Sequence, residues 1–270
     1  MTHDIRYGPR PPAARVDHEI DATKAPIATE AITVTYLTDP DIVAAVLPEP
    51  LVPAAEPVVR ISIQRVAIEG RPPFGSAVFS VAARHGELDG DYPLFMPQST
   101  EQSVIGGRET FGEPKKLGQI TVDRDGDQVS GRVSRHGFDL IRVTGRLGGD
   151  LPLPPDQVNT EFYFKFLRAP DGEGITDPHL VHGQYHRHYE IFEAIDGTVE
   201  LGDSPLDPVA DIAVRELRSI TWCRRRTIQT ASIARTVPSG WLLPYVHQRY
   251  DDIALLAAIP GPGRPEPAQV

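Results

Sequence analysis

A chain of 270 residues, 40% apolar and 24% charged, is long enough to bury a core of ordinary size and reads as globular. No apolar run approaches the roughly 20 residues of a membrane-spanning helix, and a formal charge of −10 sets most of the surface against nucleic acid and anionic lipid. The single cysteine, Cys223, excludes an internal disulfide, and with no basic-then-apolar leader at Met1 the expectation is a cytoplasmic protein.

Residues 1–28, with Pro9, Pro11, Pro12 and Pro26, carry no sustained periodicity and are expected to form an arm docked on the body or on another subunit. Alternating and β-branched runs follow at 32–36, 58–68, 76–83, 118–124, 128–136, 140–147, 160–167, 185–194 and 217–235, the pattern of a mostly antiparallel β protein. Asp39-Pro40 predicts a short helix over 41–47, stopped by Pro48. Ser99 and Gln102 have the spacing of a capping box for a helix over 101–110, ended by Gly112 and Pro114. Lys115 would then sit just beyond a helix end, where the chain turns into a strand. Asp125-Gly126-Asp127 and Asp196-Gly197 read as hairpin turns. The proline-rich tail 260–270 is expected to be loose, and with no internal repeat or long linker the whole of 1–270 reads as one α+β domain, a closed or nearly closed sheet with a few short helices.

Side chains capable of chemistry are scattered. Arg224, Arg225 and Arg226 lack interleaved aromatics, so they read as a solvated strand face or an interface rather than a nucleic-acid site. Cys223 has no nucleophile signature and reads as core. His179, His182, His186 and His188 include two same-face strand positions, but without recognisable acidic ligands they read as strand histidines, and no metal is expected.

The informative stretch is Gly106-Gly107-Arg108-Glu109-Thr110-Phe111-Gly112-Glu113-Pro114-Lys115-Lys116-Leu117. It resembles the G-R-E…P-K-K-L signature of acetoacetate decarboxylases and their relatives. The likeness continues through Tyr36 to Asp39, Leu47-Pro48-Glu49-Pro50-Leu51, Gly90-Asp91-Tyr92 and Leu206-Asp207-Pro208-Val209-Ala210-Asp211. The resemblance implies an acetoacetate decarboxylase-like β-barrel, a homo-oligomer, no metal or organic cofactor, and a small carbonyl substrate. It makes Lys115 the imine-forming lysine and Lys116 its cationic neighbour; activation of that lysine by burial or by a nearby cation is a property of the family, not a reading of these residues.

An ordinary lysine, with a pKa of about 10.4, is mostly ammonium at neutral pH, so the environment must favour the free amine. On extended backbone Lys115 and Lys116 point to opposite faces. The expectation is therefore Lys115 in an apolar cavity lined by Phe111, Phe95 and Met96, with Lys116 pointing outward and burial the larger cause of activation.

The family's decarboxylases complete their site with an arginine and two glutamates; an ungapped match puts Thr29, Ser62 and Ser76 at those positions, with Glu30 and Glu69 nearby. Without such groups to orient a substrate carboxylate and move protons, decarboxylation is disfavoured. Relatives lacking the same groups include aldolase-dehydratases and cyclising or hydrolytic enzymes. Glu113, two residues before the lysine, is placed to protonate or deprotonate an enamine. The reading is thus a Schiff-base lyase catalysing aldol condensation, retro-aldol cleavage or dehydration of an oxo acid or related ketone. The alternatives are a β-keto acid decarboxylase and a non-catalytic carbonyl-binding protein. Arg108, with Glu109, reads either as a helix ion pair or as substrate contact; Glu101 and Gln102 are candidate polar lining; Tyr245, His247 and Tyr250 are candidates to close the cavity.

Overall fold

The computed structural model describes residues 7–8 and 26–259. The expected arm and the tail from 260 lie almost wholly outside the described residues. At their border β1 (Ile27–Leu37) already begins, inside the span assigned to the arm.

From β1 the chain passes through a short helix, α1 (Pro40–Val46), and a two-residue strand, β2 (Val52–Pro53). A meander follows: β3 (Val58–Ala67), β4 (Phe74–His85) and β5 (Leu88–Gln98). Helix α2 (Glu101–Thr110) delivers the chain to β6 (Lys115–Leu117). A second meander, β7 (Gln119–Asp125), β8 (Gln128–Arg135) and β9 (Phe138–Asp150), precedes the long strands β10 (Gln157–Arg168), β11 (Ile175–Leu201) and β12 (Glu216–Thr236). Helices α3 (Ser239–Leu242), α4 (Val246–Arg249) and α5 (Ile253–Ala258) follow. None of the described helices is long and apolar enough to cross a membrane.

Antiparallel pairing runs β5-β4-β3-β1-β12-β11-β10, and β10 meets β5 again through a parallel bridge between Glu161 and Asp91, closing a ring. The end of β11 leaves that ring: from Glu193 to Leu201 it pairs with β9, so β9, β8 and β7 form a second layer over β3 and β4. Strand alternation then decides which face is apolar. Ile32, Val34 and Tyr36 of β1, Val59, Ile61 and Ile63 of β3, and Ala77, Phe79 and Val81 of β4 are buried outside the ring, in one core with Val129, Val133 and Val143 of the second layer. Each of the larger side chains contributes roughly 1.5–3 kcal/mol by leaving water. Gly131 of β8 admits the close approach, since a Cβ there would lie 3.0 Å from Ile63 Cδ1.

The intervening residues, including Thr33, Thr35, Ser62, Gln64, Ser76 and Ser80, face the lumen. On this side the core lies outside the ring, and the inside is a cavity of about 540 Å³ lined by polar and apolar side chains together.

Local corrections have plain causes. Asp196-Gly197 is no hairpin turn: both residues lie inside β11, opposite Arg146 and Gly145. There a Cβ on Gly197 would strike the Thr144 backbone, so the glycine serves close strand approach. Asp125-Gly126-Asp127 does turn between β7 and β8, with Gly126 at φ +61°. Ser99 does not cap α2; Thr100 is the N-cap, and Ser99 Oγ instead accepts from the Gly75 amide at 2.8 Å, fixing the helix start to β4. Strand β5 escapes sequence patterning because Gly90, Pro93 and Pro97 interrupt its alternation.

Candidate active site

Helix α2 ends in a backbone fold that aims Glu113 and Lys115 at the same space. The amides of Phe111 and Glu113 both donate to Gly107 O, at 3.1 and 3.2 Å, and Lys115 N donates to Glu113 O at 2.8 Å. Gly112 takes φ +83° while pressed against the Lys165 backbone, a position closed to any side chain on both counts. Two arginines hold the turn from behind. Arg108 Nη1 donates to Lys115 O (3.1 Å) and Arg249 O (3.0 Å), and Arg249 Nη1 donates to Gly112 O (2.7 Å). β6 then runs parallel to β5 with Lys115 in register with Met96.

Lys115 Nζ lies 2.7 Å from Glu113 Oε2, the lysine side chain 15% exposed and the glutamate 2%. The other carboxylate oxygen, Oε1, accepts from Tyr185 Oη at 3.1 Å and from Gln229 Nε2 at 3.0 Å. Tyr185 meets Tyr163, whose hydroxyl donates to Glu161, and Glu161 pairs with Arg187 at 3.2 Å. Asp91, opposite Glu161 where the ring closes, pairs with Arg60. From Glu113, the lysine's ion-pair partner, a line of hydrogen-bonded polar side chains leads across the β12, β11 and β10 wall.

Burial sets the protonation tendencies along that line. It pushes the Glu161 carboxyl above the ordinary range even against Arg187 and Tyr163, and it does the same to Asp91 against Arg60 and Arg187. Burial, reinforced by the Glu161 charge, pushes both the Tyr163 and Tyr185 phenols well up, so each is a standing donor near neutral pH.

Among residues singled out in the sequence, Lys115, Glu113, Met96, Phe111 and Gln102 line the cavity, as do Thr29, Ser62 and Ser76. The others do not. Phe95 packs into the outer core opposite Phe79, because it alternates with Met96 on β5. Glu101 is exposed on α2, and Arg108 lies under the turn with its guanidinium 4.9 Å from the Tyr250 ring, forming no ion pair with Glu109. Tyr245 belongs to a separate small cleft with Tyr92, Gly112 and Arg249.

Lys116 does point away from Lys115, but into protein: it is buried, 2.7 Å from Asp207 and 3.1 Å from Asp251, in a network shared with Arg135. Nor is the cavity apolar around Lys115, whose nearest partner is a carboxylate. Arg224 and Arg226 face outward and share Glu190, whereas Arg225 is buried in the lumen, and Cys223 is part of the lumen wall. His182 pairs with His85 at 3.0 Å and His188 with Asp156 at 2.8 Å. Among the described residues no cluster of three or more His, Cys, Asp or Glu is arranged to hold a metal ion.

A family model described as acetoacetate decarboxylase matches residues 8–237. The chain belongs to the acetoacetate decarboxylase family. An acetoacetate decarboxylase of Chromobacterium violaceum is 32% identical over 206 residues, covering 70% of this chain and 79% of that one. The CLA biosynthesis isomerase of Lactiplantibacillus plantarum is 26% identical over 217 residues, covering 72% and 76%. Among solved structures, the acetoacetate decarboxylase of Legionella pneumophila superposes with TM-score 0.69 at 20% identity over 78% of this chain and 88% of that one. The enduracididine biosynthesis enzyme MppR, complexed with the condensation product of pyruvate and imidazole 4-carboxaldehyde, gives 0.65 at 17% identity over 77% and 88%. The acetoacetate decarboxylase fold is thus shared with proteins named for more than one reaction.

Proposed function

We propose that this member of the acetoacetate decarboxylase family is a lyase that forms a Schiff base between Lys115 and a small oxo acid or related ketone, and carries the imine through aldol condensation, retro-aldol cleavage or dehydration. The observation that carries the reading is the 2.7 Å pairing of Lys115 Nζ with Glu113 Oε2 inside the cavity. The free amine attacks the carbonyl carbon, and the carbinolamine loses water to give the imine. Glu113 is within reach to take the amine proton and return one to the departing hydroxyl. In the enamine stage the same carboxyl removes or supplies the proton on the neighbouring carbon, as these reactions require. Tyr185 and Gln229 fix Glu113 in place through its other oxygen. The condensation product bound to MppR, a protein of the same fold, supports this choice of chemistry.

Decarboxylation of a β-keto acid is the second reading. It is favoured by the name of the Chromobacterium relative and by charged lumen residues that sequence matching did not reveal, namely Arg187 with Glu161 and Arg60 with Asp91. Incubation with pyruvate and a panel of aldehydes, then borohydride reduction and mass spectrometry, separates the readings. An adduct on Lys115 together with new condensation products is expected. Release of carbon dioxide from acetoacetate without condensation would transfer the assignment to the decarboxylase, and labelling that survives Lys115→Ala would overturn both.

A further inference from the structure

We infer that Arg225 is a binding site for the carboxylate of the substrate, at a point in the cavity well removed from the lysine, so that the substrate is an oxo acid whose acid group lies several bonds from its carbonyl. This deepens the proposed function and rests on it for the carbonyl end only.

Four arginines line the lumen: Arg60 is neutralised by Asp91 and Arg187 by Glu161, and Arg71 lies half-buried on the loop between β3 and β4. Arg225 differs. It is 6% exposed, yet its Nη1 donates only to Cys223 Sγ (3.3 Å) and its Nη2 to the neutral Gln64 Oε1 (3.4 Å). Its Nε is buried with no acceptor at all. Among the described residues no carboxylate pairs with it. A sulfur, an amide oxygen and the Tyr189 ring, 5.9 Å from the guanidinium carbon, orient the group without supplying a negative charge, and a buried cation so placed is costly until an anion arrives. The edge carrying the vacant Nε–H is the geometry that takes a carboxylate in paired hydrogen bonds.

The position along the strand sets the substrate's length. The inward-facing residues of β12 that line the cavity include Cys223, Arg225, Thr227 and Gln229. Gln229 touches Glu113, so it marks the lysine end. Arg225 is four residues away, roughly 13 Å of strand, and its bond to Cys223 leans it farther from Gln229. The acid group of pyruvate or acetoacetate, one or two bonds from the carbonyl, does not span that distance.

The test compares 7-oxooctanoate with methyl 7-oxooctanoate, which has the same length and no charge, on the full chain. Isothermal titration measures binding without requiring an imine, and borohydride trapping measures the imine on Lys115. The acid is expected to bind roughly tenfold to hundredfold more tightly than the ester, the range for a charge-assisted contact. Arg225→Gln should bring the two ligands together, and Arg225→Lys should keep part of the difference. Equal affinity of acid and ester for the wild-type protein overturns the inference, and this comparison needs no variant to fold. An acid preference that survives Arg225→Gln overturns it as well. A preference seen by titration with neither ligand trapped on Lys115 upholds the Arg225 site and defeats the Schiff-base reading instead.

Discussion

Glu113 offers one carboxylate oxygen to Lys115 Nζ at 2.7 Å and keeps the other on Tyr185 and Gln229, so a single side chain faces the amine while tied to the β11 and β12 wall. Glu113→Gln preserves the size of the side chain and removes its capacity to move a proton. With pyruvate in heavy water, the variant is expected to retain a borohydride-trapped adduct but to exchange the methyl protons about 10²- to 10⁴-fold more slowly, the usual contribution of a placed acid-base group. Exchange is followed by proton NMR. Undiminished exchange removes Glu113 from the mechanism.

Gly107 lies over this pair. A Cβ added there would stand 2.6 Å from Lys115 Nζ and closer still to Glu113 Oε2. The atoms it would meet are the ends of the Glu113 and Lys115 side chains, which must part to make room for it. Gly107→Ala should therefore cost about 1–3 kcal/mol by overpacking and lower the rate of borohydride labelling with pyruvate, because the methyl separates amine from carboxylate. A correctly folded variant, by circular dichroism, that labels at the parental rate contradicts the tight packing described here.

Much of this site could be read from the amino acids in order, for physical reasons that also explain the failures. Lys115 is legible through the motif that resembles the family's, and Glu113 and Phe111 through their place beside it at a helix end. Strand alternation was equally legible, giving most of the ring strands. What alternation does not reveal is which of two faces the protein turns inward. Phe95 and Met96 are neighbours on β5, so Met96 faces the lumen while Phe95 joins the outer core, and a carboxylate stands beside Lys115 where an apolar wall is expected. Tyr163, Tyr185, Gln229 and Glu161 go unselected in the sequence, and Arg225 reads there as a solvated strand face or an interface, because only ring closure brings β10, β11 and β12 to the lysine. Their signal was present as a period of two in polar residues, at 221, 225, 227 and 229 and at 185 and 187.

Lys116 separates a family expectation from an observed contact. As an activating cation its loss would abolish labelling of Lys115 at unchanged stability. Buried against Asp207 and Asp251, with Arg135 bound to both acids, its loss should instead destabilise the fold. Lys116→Met is expected to cost about 3–5 kcal/mol, the penalty for breaking a buried ion pair from one side, read from urea unfolding. Lost labelling in a variant of full stability would restore the activating role.

The same network fixes a sign for the pH dependence of stability. Burial alone would raise the Asp251 carboxyl, but the hydrogen bond from Arg135 and the charges of Lys116 and Arg135 outweigh it and hold the group below its usual range. A folded value below the unfolded one contributes stability above the unfolded value, about 3.9, which is lost as pH falls through the folded value. Glu161 has the opposite sign. Burial raises it, so its contribution is present in acid and lost as pH rises through the raised value. Thermal unfolding across pH should show Asp251→Asn flattening the acid side and Glu161→Gln flattening the less acidic side. Exchanged effects of the two substitutions would contradict the environments described.

Tyr185 and Gln229 act on one oxygen of Glu113 and on each other, with Gln229 Nε2 2.9 Å from Tyr185 Oη. Neither reaches Lys115, so both are positioning residues. Because burial pushes the Tyr185 phenol well up, it remains a donor throughout the working pH range. Removing it by Tyr185→Phe lets Glu113 swing while Gln229 still holds, and Gln229→Leu does the reverse. Each variant is expected to slow methyl-proton exchange by roughly tenfold, the equivalent of one ordinary hydrogen bond of about 1–1.5 kcal/mol. The double variant should fall short of the product or exceed it, since residues sharing one acceptor couple by about 0.5–3 kcal/mol. Exchange rates that multiply independently would mean that the two side chains do not hold the same carboxylate, and Glu113 would then owe its placement to the α2 turn alone.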